Sequence, residues 1–171
     1  RSLVGSEMCI RDRLYRTTEN SVMLSLVITA GTISYHFVIR YVVAGIFNSV
    51  MQNRADLSKT WYQQRTWEEK LYKKLHVKKW KSKMPTYEPE NFDLRIHTPE
   101  EIAGAMCQAE LSHEVIVIFS FLPLLTVPAF GAFWVFLITS VLSAMMDLSF
   151  AIMQRYNRPR IMKLCKRRKK N

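Results

Sequence analysis

Hydrophobic residues are concentrated in two parts of the chain. Residues 115–146 hold no charged side chain over 32 positions, and residues 21–39 hold none over 19. About 20 apolar residues are enough for a helix to cross the hydrocarbon core of a bilayer. The pattern therefore predicts an all-α integral membrane protein.

The second apolar stretch is too long for one crossing. Residues 115–153 would form a helix of roughly 58 Å, about twice the thickness of the hydrocarbon core. Residues 126–131 contain proline and glycine, which favour a turn between two spans. We therefore expect about three spans, at residues 21–51, 115–128 and 132–153, although the short 115–128 segment can also form a re-entrant hairpin.

The polar segment, residues 52–113, contains two predicted helices. Trp67, Leu71 and Leu75 have the spacing of a short amphipathic helix, and the neighbouring lysines and aromatic residues are typical of a segment that lies in the membrane interface. Further on, Thr98 and Glu101 form a capping-box pattern with a proline between them, which predicts a helix that continues towards the bilayer.

Charge predicts the topology. The net charge is +11, and the basic tail at residues 154–171 has nine lysine or arginine residues and no acid. The positive-inside rule places such a tail in the cytoplasm, at the cell membrane, and the predicted hairpin puts residues 52–113 on the same side. Because the charge lies beside apolar spans and no nucleic-acid-binding motif accompanies it, the expected partner is the lipid membrane and not nucleic acid.

Three smaller features complete the organisation. His36 and Arg40 share one helix face in the first span, so they face other helices or a cavity, or Arg40 extends to the head groups. The three cysteines form no metal-binding or disulfide pattern. Residues 1–13 have the character of a non-native start and are set aside, which leaves residues 14–171 as one membrane domain.

Glu110 and His113 are the strongest candidates for catalysis. They lie three residues apart on one helix face, where a carboxylate can orient the imidazole that acts as a general base. An ordinary polar turn explains the same spacing. A metal site would need further ligands, such as Glu68, Glu69 or His36, so none is predicted.

The start of the basic tail also carries specific chemistry. Arg155, Arg158 and Arg160 can bind phosphate or carboxylate, and Pro159 is expected to end or break the helix. Three further side chains of this segment add hydrogen-bonding groups: Gln154, Tyr156 and Asn157.

Three segments together resemble one family. They are HVKKWKSKMP at residues 76–85, AELSHE at 109–114 and QRYNRPRI at 154–161, and in order and spacing they are similar to the glycosyl-4,4'-diaponeurosporenoate acyltransferases. The resemblance covers roughly residues 60–165. Carried over residue by residue, it implies functional positions at Trp80, Lys81, Glu110, His113, Gln154, Arg155, Tyr156, Asn157, Arg158 and Arg160.

The resemblance implies esterification of the sugar of a glycosylated carotenoid, or a related glycolipid, with a fatty acyl group. The acyl donor is expected to be acyl-CoA or a similar co-substrate, with no bound cofactor. Glu110 and His113 would be catalytic, and the other matching positions would bind substrate. A non-enzymatic membrane scaffold and a metal-dependent membrane enzyme are the alternatives.

Overall fold

The computed structural model describes residues 21–85 and 89–168, and in this part of the chain every regular element is a helix. The predicted non-native start at residues 1–13 lies outside the described residues. The α-helices are α1 (Ser21–Met51), α2 (Thr66–Lys74), α3 (Val77–Trp80), α4 (Pro99–Phe119), α5 (Val127–Phe130) and α6 (Phe133–Arg168). Short 3-10 helices occur at Thr60–Tyr62, Lys81–Lys83, Pro89–Phe92 and Leu122–Thr126.

Three stretches of helix are long and apolar enough to cross a membrane. They are Val22–Met51, Pro99–Phe130 and Phe133–Arg168. Large apolar side chains on α1 are exposed, including Leu26, Phe37 and Val38, each with more than half of its surface accessible. Such a surface is unfavourable in water and favourable in lipid. The prediction of an all-α membrane protein with three spans is confirmed.

The predicted turn between the last two spans is present. Helix α5 ends at Phe130, and Gly131 follows with a φ of 69°, in the left-handed region that favours glycine. The Gly131 amide donates to the Val127 carbonyl at 2.7 Å and closes the helix end. Helix α6 begins two residues later at Phe133.

The expectation that Pro159 ends or breaks the last helix is wrong. Helix α6 continues through Pro159 to Arg168. An internal proline removes one backbone hydrogen bond and costs about 3 kcal/mol. Arg155 and Arg158, in the turn just before the proline, form several ion pairs and hydrogen bonds with other elements, which offset this cost.

The chain divides into two compact units. Of the described residues, the apolar unit comprises 21–43 together with 115–147. The polar unit comprises 44–85 and 89–114 together with 148–168.

Polar contacts join helices inside the apolar unit. The Arg40 Nη2 atom lies 2.6 Å from the Asp147 Oδ2 atom and donates to Ser143 Oγ at 2.9 Å. The Ser143 and Ser120 hydroxyls are 3.0 Å apart, and the Tyr35 hydroxyl donates to the Phe119 carbonyl at 2.9 Å. Arg40 therefore faces another helix, as one of the two alternatives predicted. Interhelical contacts of this kind hold membrane helices together where the hydrophobic effect is weak.

The polar unit begins with a tight reversal after α1. Gln52 and Asn53 both have positive φ, and the Asn53 amide donates to Gln108 Oε1 at 2.7 Å. The Asn53 carbonyl lies so close to Gly104 of α4 that a Cβ there would collide with it. Glycine is therefore required for this close approach of backbone to helix.

The capping box at the start of α4 is confirmed. The Thr98 amide donates to Glu101 Oε2 at 2.8 Å, and the Glu101 amide donates to Thr98 Oγ1 at 3.3 Å. These reciprocal bonds satisfy two backbone donors that the helix itself leaves unpaired. These bonds therefore fix the start of α4, the helix that carries Glu110 and His113 further along.

Candidate active site

Four charged side chains form a buried network in the polar unit. They are Glu68 of α2, Glu110 of α4, and Arg155 and Arg158 of α6. Arg155 Nη2 lies 2.8 Å from Glu68 Oε1, and Arg155 Nη1 lies 2.6 Å from Glu110 Oε1. Arg158 Nη1 donates to the other oxygen of Glu110. One carboxylate therefore joins two arginines, and one arginine joins two carboxylates.

The network balances its own charge. It holds two carboxylates and two guanidinium groups, and the side chain of Glu110 is fully buried, whereas that of Arg155 is 16% exposed. Buried charges are tolerated when each is paired and hydrogen-bonded. The network therefore connects three helices, α2, α4 and α6, within the polar unit.

The two arginines also hold the segment between α1 and α2. Arg155 donates to the carbonyls of Trp61 at 3.0 Å and Gln63 at 3.3 Å, and Arg158 donates to the carbonyl of Tyr62. Three successive carbonyls are therefore bound by two guanidinium groups, whose several donors suit this task. Arg155 and Arg158 therefore fix the backbone at residues 61–63.

The ionisation of Glu68 follows from its surroundings. Burial opposes the charged form, but the hydrogen bonds and the charge of Arg155 outweigh it, so the pKa of Glu68 lies below its ordinary value. The Tyr72 hydroxyl donates to Glu68 at 3.1 Å, and burial together with that carboxylate raises the pKa of Tyr72. Glu68 is therefore a carboxylate and Tyr72 a neutral phenol at neutral pH.

His113 lies one helical turn after Glu110. Its ring is half-buried and stacks on Phe150 of α6, with ring centroids 5.0 Å apart and planes 14° apart. The next residue, Glu114, accepts a hydrogen bond from the indole of Trp61 at 3.0 Å. Both oxygens of Glu110 accept from arginines. The catalytic assignment of His113 and Glu110 stays a prediction, and the structure adds the ring stacking and the arginine partners.

A second cluster surrounds Tyr156. The Lys81 ammonium lies 4.7 Å from the centre of the Tyr156 ring and donates to Asn157 Oδ1. The Arg160 guanidinium lies 5.2 Å from the same ring, and Tyr72 meets it edge to face at 5.6 Å. Residues 76–85 and 154–161, which the predicted topology put on the same side of the membrane, are therefore in contact.

Burial lowers the pKa of Lys81, and the nearby positive charges of Arg160 and Lys78 act in the same direction. Arg160 itself is exposed. A cationic site with one exposed guanidinium can accept an anionic group from solution.

The two remaining predicted positions have plainer surroundings. The Trp80 indole donates to the Leu75 carbonyl at 3.0 Å, which closes the short connection between α2 and α3. Gln154 is buried on α6. Their assignment to substrate binding stays a prediction.

The sequence interpretation missed the role of Glu68, which it considered only as a metal ligand. The signal was present, because Glu68 and Tyr72 lie four residues apart and thus share one helix face. Trp67 and Leu71 form a neighbouring stripe of α2, and both are exposed. One stripe of α2 is therefore accessible at the surface, whereas Glu68 and Tyr72 are buried inside the polar unit.

Across residues 21–85 and 89–168, no group of three or more histidine, cysteine, aspartate or glutamate side chains is placed to hold a metal ion.

The similarity of this chain to known proteins is at the level of a family. No curated protein matches the chain, and no solved structure matches it. The family described as glycosyl-4,4'-diaponeurosporenoate acyltransferase matches residues 58–167, well over half of the chain. The matched region includes the charged network, His113 and the Tyr156 cluster. The chain belongs to the glycosyl-4,4'-diaponeurosporenoate acyltransferase family.

Proposed function

We propose that this protein is a membrane acyltransferase that esterifies a sugar hydroxyl of a glycosylated carotenoid, or of a related glycolipid, with a fatty acyl group. The observation that carries the proposal is the convergence of three family segments in the polar unit. Lys81 meets Asn157, and Glu110 meets Arg155 and Arg158. A network of this kind holds reacting groups in fixed positions, which is a large part of catalysis.

His113 is the proposed general base. It takes the proton from the sugar hydroxyl, whose oxygen attacks the carbonyl carbon of an acyl thioester. The tetrahedral intermediate then expels the thiolate, which receives the proton from the imidazolium, and the sugar ester remains. The stacking of His113 on Phe150 restrains the orientation of its ring.

Glu110, in this proposal, acts through the arginines. By binding Arg155 and Arg158 it fixes α4 against α6 and so sets the position of His113, one turn further along α4. Glu110 is therefore a positioning residue. Arg160, which is exposed on α6, is assigned to binding an anionic group of a substrate.

The membrane supports the choice of acceptor. A glycosylated carotenoid is insoluble in water, with its apolar chain in lipid and its sugar at the head-group level. The basic tail favours a cytoplasmic C-terminus, which would place the polar unit at the cytoplasmic leaflet. The exposed face of α2, with Trp67 and Leu71, is suited to lie in that interface.

Lipid profiling tests the proposal. Cells that make a glycosylated carotenoid but do not acylate it are compared with and without this protein, and their lipid extracts are analysed by mass spectrometry. The proposal expects a new species heavier than the acceptor by one fatty acid less one water. Unchanged lipids, with the protein abundant in the membrane fraction, would contradict it and favour a non-enzymatic scaffold.

A further inference from the structure

A groove of about 280 Å³ lies in the polar unit beside the charged network. One wall is a stripe of α6 formed by Arg158, Pro159, Met162, Lys163 and Lys166. These residues lie on one helix face, because positions three, four and seven apart in a helix point the same way. Pro159 therefore lies within the continuous helix face that lines the groove.

The other wall comes from the segment that follows α1. Leu57, Tyr62, Gln63 and Gln64 line it, so this wall combines an aliphatic and an aromatic side chain with two amides. Its backbone at Gln63 is held by Arg155. This wall is therefore fixed in place by the same network that fixes His113.

The lining is basic and contains no acid. The charge of Arg158 is already balanced by Glu110. Lys163 and Lys166 are both exposed, and neither forms a salt bridge with any other described residue. Two lysines three residues apart, neither in a salt bridge with a described residue, therefore line one cavity.

We propose that this groove binds the phosphate groups of the acyl donor, a fatty acyl thioester of a phosphorylated carrier such as coenzyme A. The proposal rests on the proposed acyl transfer. Arg155 and Arg158 already bind carboxylates and backbone carbonyls. The phosphate binding that the sequence analysis expected of these two arginines is therefore assigned to the lysines of the groove.

Size and chemistry agree with this ligand class. Pockets that enclose a whole drug-sized ligand measure about 300–1,000 Å³, so a groove of about 280 Å³ fits a head group and leaves the acyl chain outside it. Lysine ammonium groups bind phosphate as mobile point charges. Leu57 and Met162 supply apolar contact for the less polar part of the carrier.

Binding to the whole protein in lipid nanodiscs tests the proposal without turnover. The affinity for free coenzyme A is measured at fixed ionic strength for the wild type and for the Lys163→Ala/Lys166→Ala double variant. The matched control is Lys73→Ala/Lys74→Ala, which removes the same charge from exposed positions outside the groove. Because all four lysines are exposed, the variants are expected to fold, and thermal unfolding checks that they do.

The groove proposal expects the dissociation constant to rise about tenfold or more in the groove variant and less than twofold in the control. An equal rise in both would mean general charge attraction and would overturn it, as would no rise in either. In a second arm, nanodiscs with phosphatidylglycerol are compared with nanodiscs of phosphatidylcholine alone. Lysine-dependent retention of phosphatidylglycerol without binding of coenzyme A would overturn the donor assignment in favour of a lipid head group.

The two proposals fail in different ways. Coenzyme A binding that depends on Lys163 and Lys166 in a protein that forms no ester would contradict the acyl transfer and leave the groove standing as a phosphate site. Ester formation that is insensitive to Lys163→Ala/Lys166→Ala would retain the activity and remove the groove from it.

Discussion

Replacing Glu110 by alanine should destabilise the protein strongly, because it leaves two arginines without a shared partner. Arg155 is 16% exposed and keeps Glu68, so it regains water and one carboxylate. Arg158 is 4% exposed and keeps the carbonyl and ring of Tyr62 and the Cys107 sulfur, but no carboxylate among the described residues. Removing one partner of a buried ion pair costs about 3–5 kcal/mol, and most of that cost should come from Arg158.

The free energy of unfolding in mixed detergent micelles measures this effect. Glu69→Ala is the matched control, since Glu69 is exposed on α2 and its replacement should change stability by less than about 0.5 kcal/mol. The double variant Glu110→Met/Arg158→Met should recover most of the loss, because it removes both buried charges. If Glu110→Ala cost no more than Glu69→Ala, the charged network would not stabilise the fold.

Three further predictions concern other contacts. Gly104→Ala should lower the free energy of unfolding by about 1–3 kcal/mol, because the added methyl group meets the Asn53 carbonyl. Gly45→Ala is the control and should cost none, since a methyl group there meets nothing within 4 Å. Equal effects would contradict the close approach of backbone to α4. Arg40→Met should cost about 3 kcal/mol and Arg40→Met/Asp147→Met much less, as measured by unfolding in micelles, and additive losses would argue against the intramembrane pair. The pKa of Glu68 in the folded protein lies below its ordinary value of 4.5, so the stability that this carboxylate contributes is present above pH 4.5 and is lost as the pH falls through the folded pKa. Between pH 6 and pH 3, the free energy of unfolding should therefore fall less for Glu68→Gln than for the wild type. Parallel curves for the two proteins would contradict this.

The helical architecture was predictable from the sequence wherever the signals in neighbouring residues are strong. The long uncharged runs predicted three spanning helices, and the capping box at Thr98 predicted the start of α4, because length and capping act locally. Pro159 shows the limit of such signals. Its local cost is real, but contacts made by the preceding turn with α2 and α4 outweigh it, and those contacts are far away in sequence.

The candidate site was predictable in its members but not in its pairings. The resemblance brought together Glu110, Arg155 and Lys81, yet it could not say that the arginine would bind a carboxylate and not a phosphate. Pairing depends on which side chains are buried together. Glu68 shows this most clearly, since Tyr72 marks its helix face but nothing nearby in the sequence identifies Arg155, 87 residues away, as its partner.

Acyl transfer by the purified protein is the most direct test of the account. Wild type in nanodiscs is supplied with acyl-CoA and a glycosylated carotenoid, and the ester is quantified over time beside His113→Ala and the matched histidine variant His97→Ala. The account predicts ester formation by the wild type and by His97→Ala, with kcat about 10²–10⁴-fold lower for His113→Ala. Undiminished turnover by a folded His113→Ala protein would contradict the assignment of the base, and no ester from the wild type would contradict the proposed activity itself.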